Sequence, residues 1–274
     1  MTRPLATSLL LSLLIVHSLC ASAQRQMSIA YYDVDRLYDT IPALFYNDTD
    51  FTPDGRLHWT SERYERKIRN IAAVIDSMQM NLVAVAGVET EQAVRDLASA
   101  CHEPYCYLHR TLNGFDGLDI ALLYHGDRFY PTATDEGRGW IYVEGEVDGT
   151  PIGILICRNA RYATEAVTDC RATHPHVPLI AAGRFTTQHA HKLGFNDAHA
   201  RAERAGRGTI RYRDGWRMRE RILIDTALHT YGADVYARHW LMRRDGTAPQ
   251  PTYERTAYRG GYSRTLPAFA YFVF

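Results

Sequence analysis

The sequence predicts an α/β (α+β) fold in which helices cover mixed β-sheets, and three kinds of local pattern support this prediction. Apolar runs with the length of buried strands recur along the chain, as at residues 118–124. Helical patterns lie between them, and the first follows Thr60-Ser61-Glu62-Arg63, a typical helix-capping sequence. Asp148-Gly149 separates two apolar runs and is typical of the turn of a β-hairpin. Buried strands interleaved with helices and hairpins indicate layers built on mixed sheets.

The predicted elements follow one another without an internal repeat or a Pro/Ser-rich linker. They are a strand at 27–32, a helix after Thr60, a strand at 81–88, a helix at 89–100, a strand at 118–124, a hairpin of 140–147 with 151–157, a helix at 164–173, and strands at 177–182, 221–224 and 266–274. The 274 residues are 46% apolar, which is ample for a buried core. We therefore expect one continuous domain over residues 24–274.

The first 23 residues have the pattern of a signal peptide. Arg3 supplies the positive start, residues 9–16 form an apolar run, and Ala21-Ser22-Ala23 is a small-x-small cleavage site. The apolar run is too short for a stable membrane-spanning helix. A lipid anchor at Cys20 is not expected, because Leu19 stands where such signals have a small residue. The sequence thus predicts an exported protein, periplasmic or secreted, with no transmembrane segment after cleavage.

The overall charge of the protein is close to zero and does not predict binding to a polyanion. Cleavage before Gln24 leaves 30 basic and 31 acidic residues, a net charge of −1. Nucleic acid is therefore not an expected partner, and we expect a monomer. Nearly all the basic residues are arginine, with Lys67 and Lys192 as the two lysines. Genomic base composition is the simplest explanation, but arginine also binds phosphate in a bidentate manner, so an anion site stays open.

Four cysteines remain after cleavage, in a protein whose export would permit disulfides. Cys101 and Cys106 bracket a four-residue loop and form the pair that we expect first. Cys157 lies within an apolar run and is expected to be a buried small hydrophobe.

Several segments in register resemble the endonuclease/exonuclease/phosphatase superfamily, the DNase I-like phosphohydrolases, and look closest to its exported bacterial branch. The matching stretches are Phe51-Thr52-Pro53-Asp54-Gly55, His58-Trp59-Thr60, Gly117-Leu118-Asp119-Ile120-Ala121-Leu122-Leu123-Tyr124, Gly208-Thr209-Ile210-Arg211-Tyr212-Arg213 and Ser263-Arg264-Thr265-Leu266-Pro267. The resemblance covers roughly residues 28–274 and implies a four-layer α/β/β/α sandwich. It also implies an ancestral Mg²⁺-dependent hydrolysis of phosphate esters, in which carboxylates hold the metal and a histidine handles the proton.

The resemblance assigns nine positions to the metal and the catalytic groups, and most hold other residues here. The positions are Asp33, Asp35, Gly87, Arg158, Arg184, Thr186, Glu220, Arg264 and Thr265. Asp35 keeps the family's residue type, and Asp33 and Glu220 are near-substitutes. In the other six, a Glu, two His, two Asp and an Asn are replaced. We therefore expect neither catalytic residues nor a metal cofactor, and interpret the chain as a pseudoenzyme of this family.

Three of the six replacements are arginines, Arg158, Arg184 and Arg264, which the family's fold would bring into one cleft. One hypothesis is a metal-free pocket in which they bind phosphate or another anion. The competing hypothesis is that they pair with Asp33, Asp35, Glu89 and Glu220 and close an inactive site.

A third hypothesis is that the chain retains a weak metal-dependent hydrolytic activity. If a metal binds at all, Asp33, Asp35 and Glu89 are the candidate ligands, unless Glu89 simply opens the helix that follows. With Glu220 these acids would support a weak Mg²⁺-dependent phosphodiesterase or nuclease. The function expected first is a binding module for a phosphorylated or anionic ligand, and the phosphoester hydrolase is the alternative.

Overall fold

A computed structural model describes residues 26–112 and 114–274. The signal peptide expected at residues 1–23, with Cys20, lies outside these residues and stays a prediction. The described part forms two six-stranded sheets, two short ribbons and five α-helices. None of these helices combines the length and the apolar character that crossing a membrane requires.

The elements are named in chain order. The strands are β1 (Gln26–Leu37), β2 (Leu82–Val88), β3 (Tyr105–Arg110), β4 (Asp119–His125), β5 (Tyr130–Gly137), β6 (Trp140–Val147), β7 (Thr150–Cys157), β8 (Leu179–Gly183), β9 (Phe195–Asp197), β10 (Ile210–Tyr212), β11 (Gly215–Arg217), β12 (Arg221–Asp225), β13 (His229–Val235), β14 (Tyr253–Glu254), β15 (Ala257–Tyr258) and β16 (Ala268–Val273). The helices are α1 (Ser61–Met78), α2 (Glu91–Ala100), α3 (Ala163–Thr173), α4 (Thr187–Leu193) and α5 (Ala200–Arg204).

Both large sheets are mixed, as the sequence predicts. The first has the order β13-β16-β1-β2-β4-β3, and the second has the order β5-β6-β7-β8-β12-β9. β1 runs parallel to β2, and β7 runs parallel to β8, while the other pairs in the two sheets are antiparallel. The two parallel pairs are central, so their carboxyl ends lie where side chains from both sheets can meet.

Alternation along the strands explains the four layers. In β2, Ala84 belongs to the core between the two sheets, and its neighbour Val85 belongs to the core under α1 and α2. A third cluster joins the other face of the second sheet to α3 and α4. Because successive side chains of a strand point to opposite faces, a strand with helices on one side and a sheet on the other is apolar throughout. The α/β/β/α sandwich predicted from the resemblance is therefore confirmed.

Element boundaries differ from the prediction mainly where the chain turns. β1 continues to Leu37, because Asp33 and, beyond a bulge, Leu37 still pair with β2. The helix expected from residue 89 begins at Glu91, because Thr90 is its N-cap and accepts a hydrogen bond from the amide of Ala93 (3.2 Å). The view that Glu89 opens this helix is wrong by two residues. The hairpin at 148–149 is confirmed, with positive φ at both turn residues.

The expected disulfide between Cys101 and Cys106 is not formed, and all four described cysteines are free thiols. Cys101 follows the last residue of α2, and its thiol donates to the carbonyl of Leu97 (3.4 Å). Cys106 is exposed on β3, where it pairs with the residue opposite on β4. The two side chains thus belong to different elements, although they are close in sequence. Cys157 is fully buried, as predicted.

Candidate functional site

The end of β1 departs from regular strand geometry and forms one wall of a cleft. Asp35 and Arg36 both have positive φ (52° and 63°), and the β1–β2 register shifts between Asp33 and Leu37. The backbone amide of Asp35 donates to the Asp33 carboxylate (3.1 Å), which fixes the bulge. The sequence Asp-Val-Asp-Arg thus places two carboxylates and a guanidinium within one turn of chain.

Gly87 lies in the matching bulge of β2, and its backbone explains why glycine is present. Its φ is +85°, which side chains other than glycine rarely adopt. A Cβ there would lie 3.2 Å from the Asp33 carboxylate and 3.4 Å from the amide of Arg36. The position therefore allows the close approach of two strands and offers no side-chain ligand atom.

We expect Gly87→Ala to destabilise the protein by about 2 kcal/mol through backbone strain and the tight contact with Asp33. Gly149→Ala is the matched control, because Gly149 has a φ of +74° but an added Cβ would meet nothing within 4 Å. Urea unfolding should show the larger loss for Gly87→Ala. Equal losses of unfolding free energy in the two variants would mean that the close contact with Asp33 adds nothing to the cost of a side chain at position 87.

The parallel strands β7 and β8 supply the opposite wall. Arg158 directly follows β7, Arg184 directly follows β8, and the amide of Arg184 donates to the carbonyl of Cys157 (2.9 Å). A Cβ on Gly183 would lie 2.0 Å from that same carbonyl, so only glycine permits this approach. The two arginines consequently emerge side by side.

The segment Ser263–Thr265, which precedes β16, forms a further wall of the cleft. The hydroxyls of Ser263 and Thr265 both donate to the backbone carbonyl of Asp33 (2.6 and 3.2 Å). Ser263 and Thr265 are buried, while the Arg264 side chain between them is 48% exposed. Two short hydroxyl side chains therefore anchor the segment to β1 and present Arg264 to the cleft.

Each of the three arginines singled out in the sequence pairs with a carboxylate. Arg184 Nη2 lies 2.7 Å from Asp33 Oδ2, Arg264 Nε lies 3.2 Å from Asp35 Oδ2, and Arg158 binds Asp116 through both terminal nitrogens. Partial burial acts to raise the pKa of Asp116, but its bond to Arg158 outweighs this and lowers that pKa.

Arg219 also reaches this site, although the sequence analysis did not identify it. Its Nε lies 2.5 Å from Glu220 Oε1, and its Nη2 lies 3.5 Å from Asp33 Oδ2. Glu220 is 1% exposed and also accepts a hydrogen bond from the Thr209 hydroxyl. Burial raises the pKa of Glu220, and Arg219 offsets this only in part. The sequence contained one signal for it, because Arg219 directly precedes Glu220, which the resemblance had already assigned to the site.

Lys67 of helix α1 contacts the bulge at the end of β1. It is 1% exposed, and its Nζ donates to the carbonyl of Asp35 (2.6 Å) and to the Thr252 hydroxyl (2.9 Å). Burial lowers the pKa of Lys67 to about 8, against the opposing charge of Asp35. Lys67 therefore satisfies a carbonyl that the bulge removes from the β-ladder.

These walls enclose what we call the central cleft, a cavity of about 380 Å³. Its lining residues are Asp33, Asp35, Arg36, Tyr38, Asp116, Leu118, Arg158, Arg184, Ile210, Arg219, Ser263, Arg264 and Thr265. Five of them carry a guanidinium group and three carry a carboxylate. The structure thus brings the three sequence-predicted arginines together with Asp33 and Asp35, as the resemblance implies.

Two residues named in the sequence analysis lie elsewhere. Thr186 is the exposed N-cap of α4 and accepts a hydrogen bond from the amide of His189 (3.2 Å). Glu89 is buried beside a different cavity, where its carboxylate accepts from the Tyr46 hydroxyl (3.0 Å) and from the amide of Asp39 (2.5 Å). Glu89 therefore does not join Asp33 and Asp35, the other two ligands that were candidates if a metal binds, because its carboxylate bonds to the loop after β1. Among the described residues, no three His, Cys, Asp or Glu side chains form a group that could hold a metal ion.

The groups in the central cleft fit a divalent cation poorly. Mg²⁺ takes several hard oxygen ligands in near-octahedral geometry. Here Asp33 and Asp35 each have a guanidinium within ion-pair distance, and Gly87 offers no side chain. A cation at this place would have to displace arginines and lie beside the remaining positive charges.

The sequence and the fold are both similar to known proteins. Residues 28–147 match the model of the Endonuclease/Exonuclease/phosphatase family. None of the curated proteins is similar enough in sequence to count as a relative.

Three solved structures resemble the chain over nearly its whole length. An endonuclease/exonuclease/phosphatase family protein from Bacteroides thetaiotaomicron has a TM-score of 0.61 at 12% identity, covering 91% of this chain and 98% of that one. A mannosyl-6-phosphatase from the same organism has a TM-score of 0.60 at 13% identity, covering 90% and 100%. A conserved protein of unknown function from Enterococcus faecalis has a TM-score of 0.57 at 14% identity, covering 90% and 99%.

Proposed function

We propose that this chain, which has the DNase I-like fold of the endonuclease/exonuclease/phosphatase superfamily, binds a phosphorylated or other anionic ligand in the central cleft and does not hydrolyse it. The observation that carries the proposal is the charge of the cleft lining, which has five guanidinium groups and three carboxylates. Export, expected from residues 1–23, belongs to the same proposal.

The ion pairs within the cleft do not neutralise it. Asp33, Asp35 and Asp116 balance three of the five arginines, and the buried Glu220 beneath them balances at most a fourth. Burial raises the pKa of Glu220, and protonation of this carboxyl group would leave one more positive charge unbalanced. At least one positive charge is left over, which opposes the hypothesis of a closed, neutral network.

The arginines also keep donors available to a ligand. The side chains of Arg184, Arg219 and Arg264 are 33%, 30% and 48% exposed. A guanidinium has five N–H donors in a planar fork, and one carboxylate uses at most two of them. Phosphate and sulfate oxygens match this fork, so a tetrahedral oxyanion is the ligand that the cleft suits best.

Calorimetry on the chain without its expected signal peptide, residues 24–274, in chloride buffer without divalent metal tests the proposal. We expect inorganic phosphate to bind the wild type, and Arg184→Gln and Arg264→Gln each to weaken binding about tenfold through the loss of a charge-assisted contact. Arg264→Gln is included because this half-exposed side chain is outside the core, so its replacement should not prevent folding. Arg69→Gln, an exposed arginine of α1 that lines none of the cavities described, is the matched control and should bind as the wild type.

Two outcomes would overturn the proposal. Failure of phosphate and sulfate to bind at low salt would leave the arginines as a closed ion-pair network. Mg²⁺-dependent hydrolysis of DNA or an aryl phosphodiester, abolished by Asp35→Ala, would establish the phosphodiesterase alternative instead.

A further inference from the structure

The positive lining of the central cleft continues into two neighbouring cavities. A cavity of about 480 Å³ shares Asp116, Leu118, Arg158 and Arg184 with the cleft. A third, of about 350 Å³, shares Ile210 and Arg264 with it. Since each neighbour has lining residues in common with the cleft, the three cavities are adjacent, and together we call them the arginine groove.

The flanking cavities add more arginine than acid. The first contributes Arg138, which lies over the Tyr162 ring at 5.7 Å from its centroid. The second contributes Arg211, Arg243 and Arg255, with Glu254 as its one carboxylate, 3.0 Å from Arg243. Along the whole groove nine arginines face four carboxylates. This excess is local, because the chain as a whole has a formal net charge of zero.

Of the outer arginines, Arg243 forms an ion pair with Glu254, whereas Arg138, Arg211 and Arg255 form none with an acid in the described part of the chain. Arg255 lies in the tight turn between β14 and β15 with a φ of +55°, where glycine or asparagine is usual. The turn itself does not need an arginine, so the feature of Arg255 that bears on binding is its place in the lining of this cavity.

We propose that the arginine groove binds a linear oligophosphate, with one phosphate group in the central cleft and others in the flanking cavities. The inference rests on the proposed function and adds the class of ligand. A single phosphate would engage the cleft alone and leave the outer arginines unused. A chain of phosphates places a charge against each part of the groove and displaces counterions along it.

The lining of the central cleft and of the Arg264-side cavity favours a chain without bases over a nucleic-acid strand. The aromatic rings in these two cavities are Tyr38 and Tyr253, which are 5% and 2% exposed. Proteins that bind single strands stack bases on exposed rings, and these two cannot serve. The cavity that contains Arg138 differs, because the exposed Phe115 and the half-buried Tyr162 line it, so the oligonucleotide is a necessary arm of the test.

The test compares inorganic phosphate, tripolyphosphate and a single-stranded oligonucleotide by calorimetry without metal. We expect tripolyphosphate to bind more tightly than phosphate, with a steeper loss of affinity as salt rises. Arg211→Gln/Arg255→Gln should weaken tripolyphosphate roughly tenfold, the effect of two exposed ion pairs, and weaken phosphate less. Arg201→Gln/Arg204→Gln on α5 removes the same charge outside the three cavities and should change neither affinity.

The outcomes separate this inference from the proposed function. Phosphate binding with no gain for tripolyphosphate, or with no effect of Arg211→Gln/Arg255→Gln, overturns the oligophosphate and leaves the anion cleft standing. If neither phosphate nor tripolyphosphate binds, the oligophosphate inference and the proposed anion-binding function are both overturned. An oligonucleotide that binds more tightly than tripolyphosphate overturns the assignment of a base-free chain.

Discussion

Asp33→Asn is expected to increase the affinity of the central cleft for phosphate about tenfold while lowering the free energy of unfolding by about 2 kcal/mol. The Asp33 carboxylate lies 2.7 Å from Arg184 and 3.5 Å from Arg219, so it already occupies the place of an anion. Asparagine keeps the acceptor for the Asp35 amide and removes the charge. The two guanidinium groups then repel each other, and a bound oxyanion relieves that repulsion.

Thermal or urea unfolding with and without phosphate measures both effects. We expect phosphate to restore most of the lost stability in Asp33→Asn, because a ligand that binds only the folded state stabilises it. Asp50→Asn is the control, because Asp50 pairs with Arg56 on the surface and lies outside the arginine groove. This variant should change the free energy of unfolding by less than about 1 kcal/mol and leave phosphate binding unchanged. An Asp33→Asn protein that binds phosphate no better than the wild type would show that the carboxylate and the ligand do not compete.

The elements that could be predicted from the sequence are those buried on both faces. β2 and β8 are fully buried, and their apolar runs have no other explanation in a chain of this composition. β5 and β13 were not predicted, because β5 is largely exposed and β13 alternates irregularly at the edges of their sheets. Their pairing depends on neighbours distant in sequence, which no local pattern records.

The central cleft was predictable where register along a strand fixes position. The meeting of Arg158 and Arg184 was predicted from the resemblance alone. The structure gives its physical reason, because both residues directly follow buried strands and these strands, β7 and β8, lie parallel and adjacent. Arg219 and Lys67 were missed because neither lies at the end of a predicted strand. Arg219 reaches the cleft from two residues before β12, and Lys67 reaches the Asp35 carbonyl from helix α1. Glu89 was misplaced for a related reason: counting by alternation assumes a regular strand, and β2 bulges at Gly87.

Glu89 supplies a second large effect, in the dependence of stability on pH. It is 4% exposed, and burial raises its pKa to about 8, although the hydrogen bond from the Asp39 amide works in the other direction. The unfolded chain would titrate this group near its ordinary value of 4.5. Between these two values the folded protein holds the proton more tightly than the unfolded chain. Glu89 therefore lowers stability as pH rises from about 4.5 to 8.

Glu89→Gln removes that dependence, because glutamine is neutral at every pH and resembles the protonated acid. Relative to wild type, the variant should be close to neutral or slightly destabilised near pH 5 and more stable near pH 8.5, by on the order of 2 kcal/mol. Differences in unfolding free energy across this range isolate the effect from His199, whose pKa is lowered to about 4 by burial and whose charging acts at the acid end. The exposed Glu91 serves as control, and Glu91→Gln should give a difference that does not change with pH. A parallel profile for Glu89→Gln and wild type would mean that Glu89 is ionised in the folded protein at neutral pH. In that case the Tyr46 hydroxyl and the Asp39 amide stabilise a buried charge rather than a neutral carboxyl group.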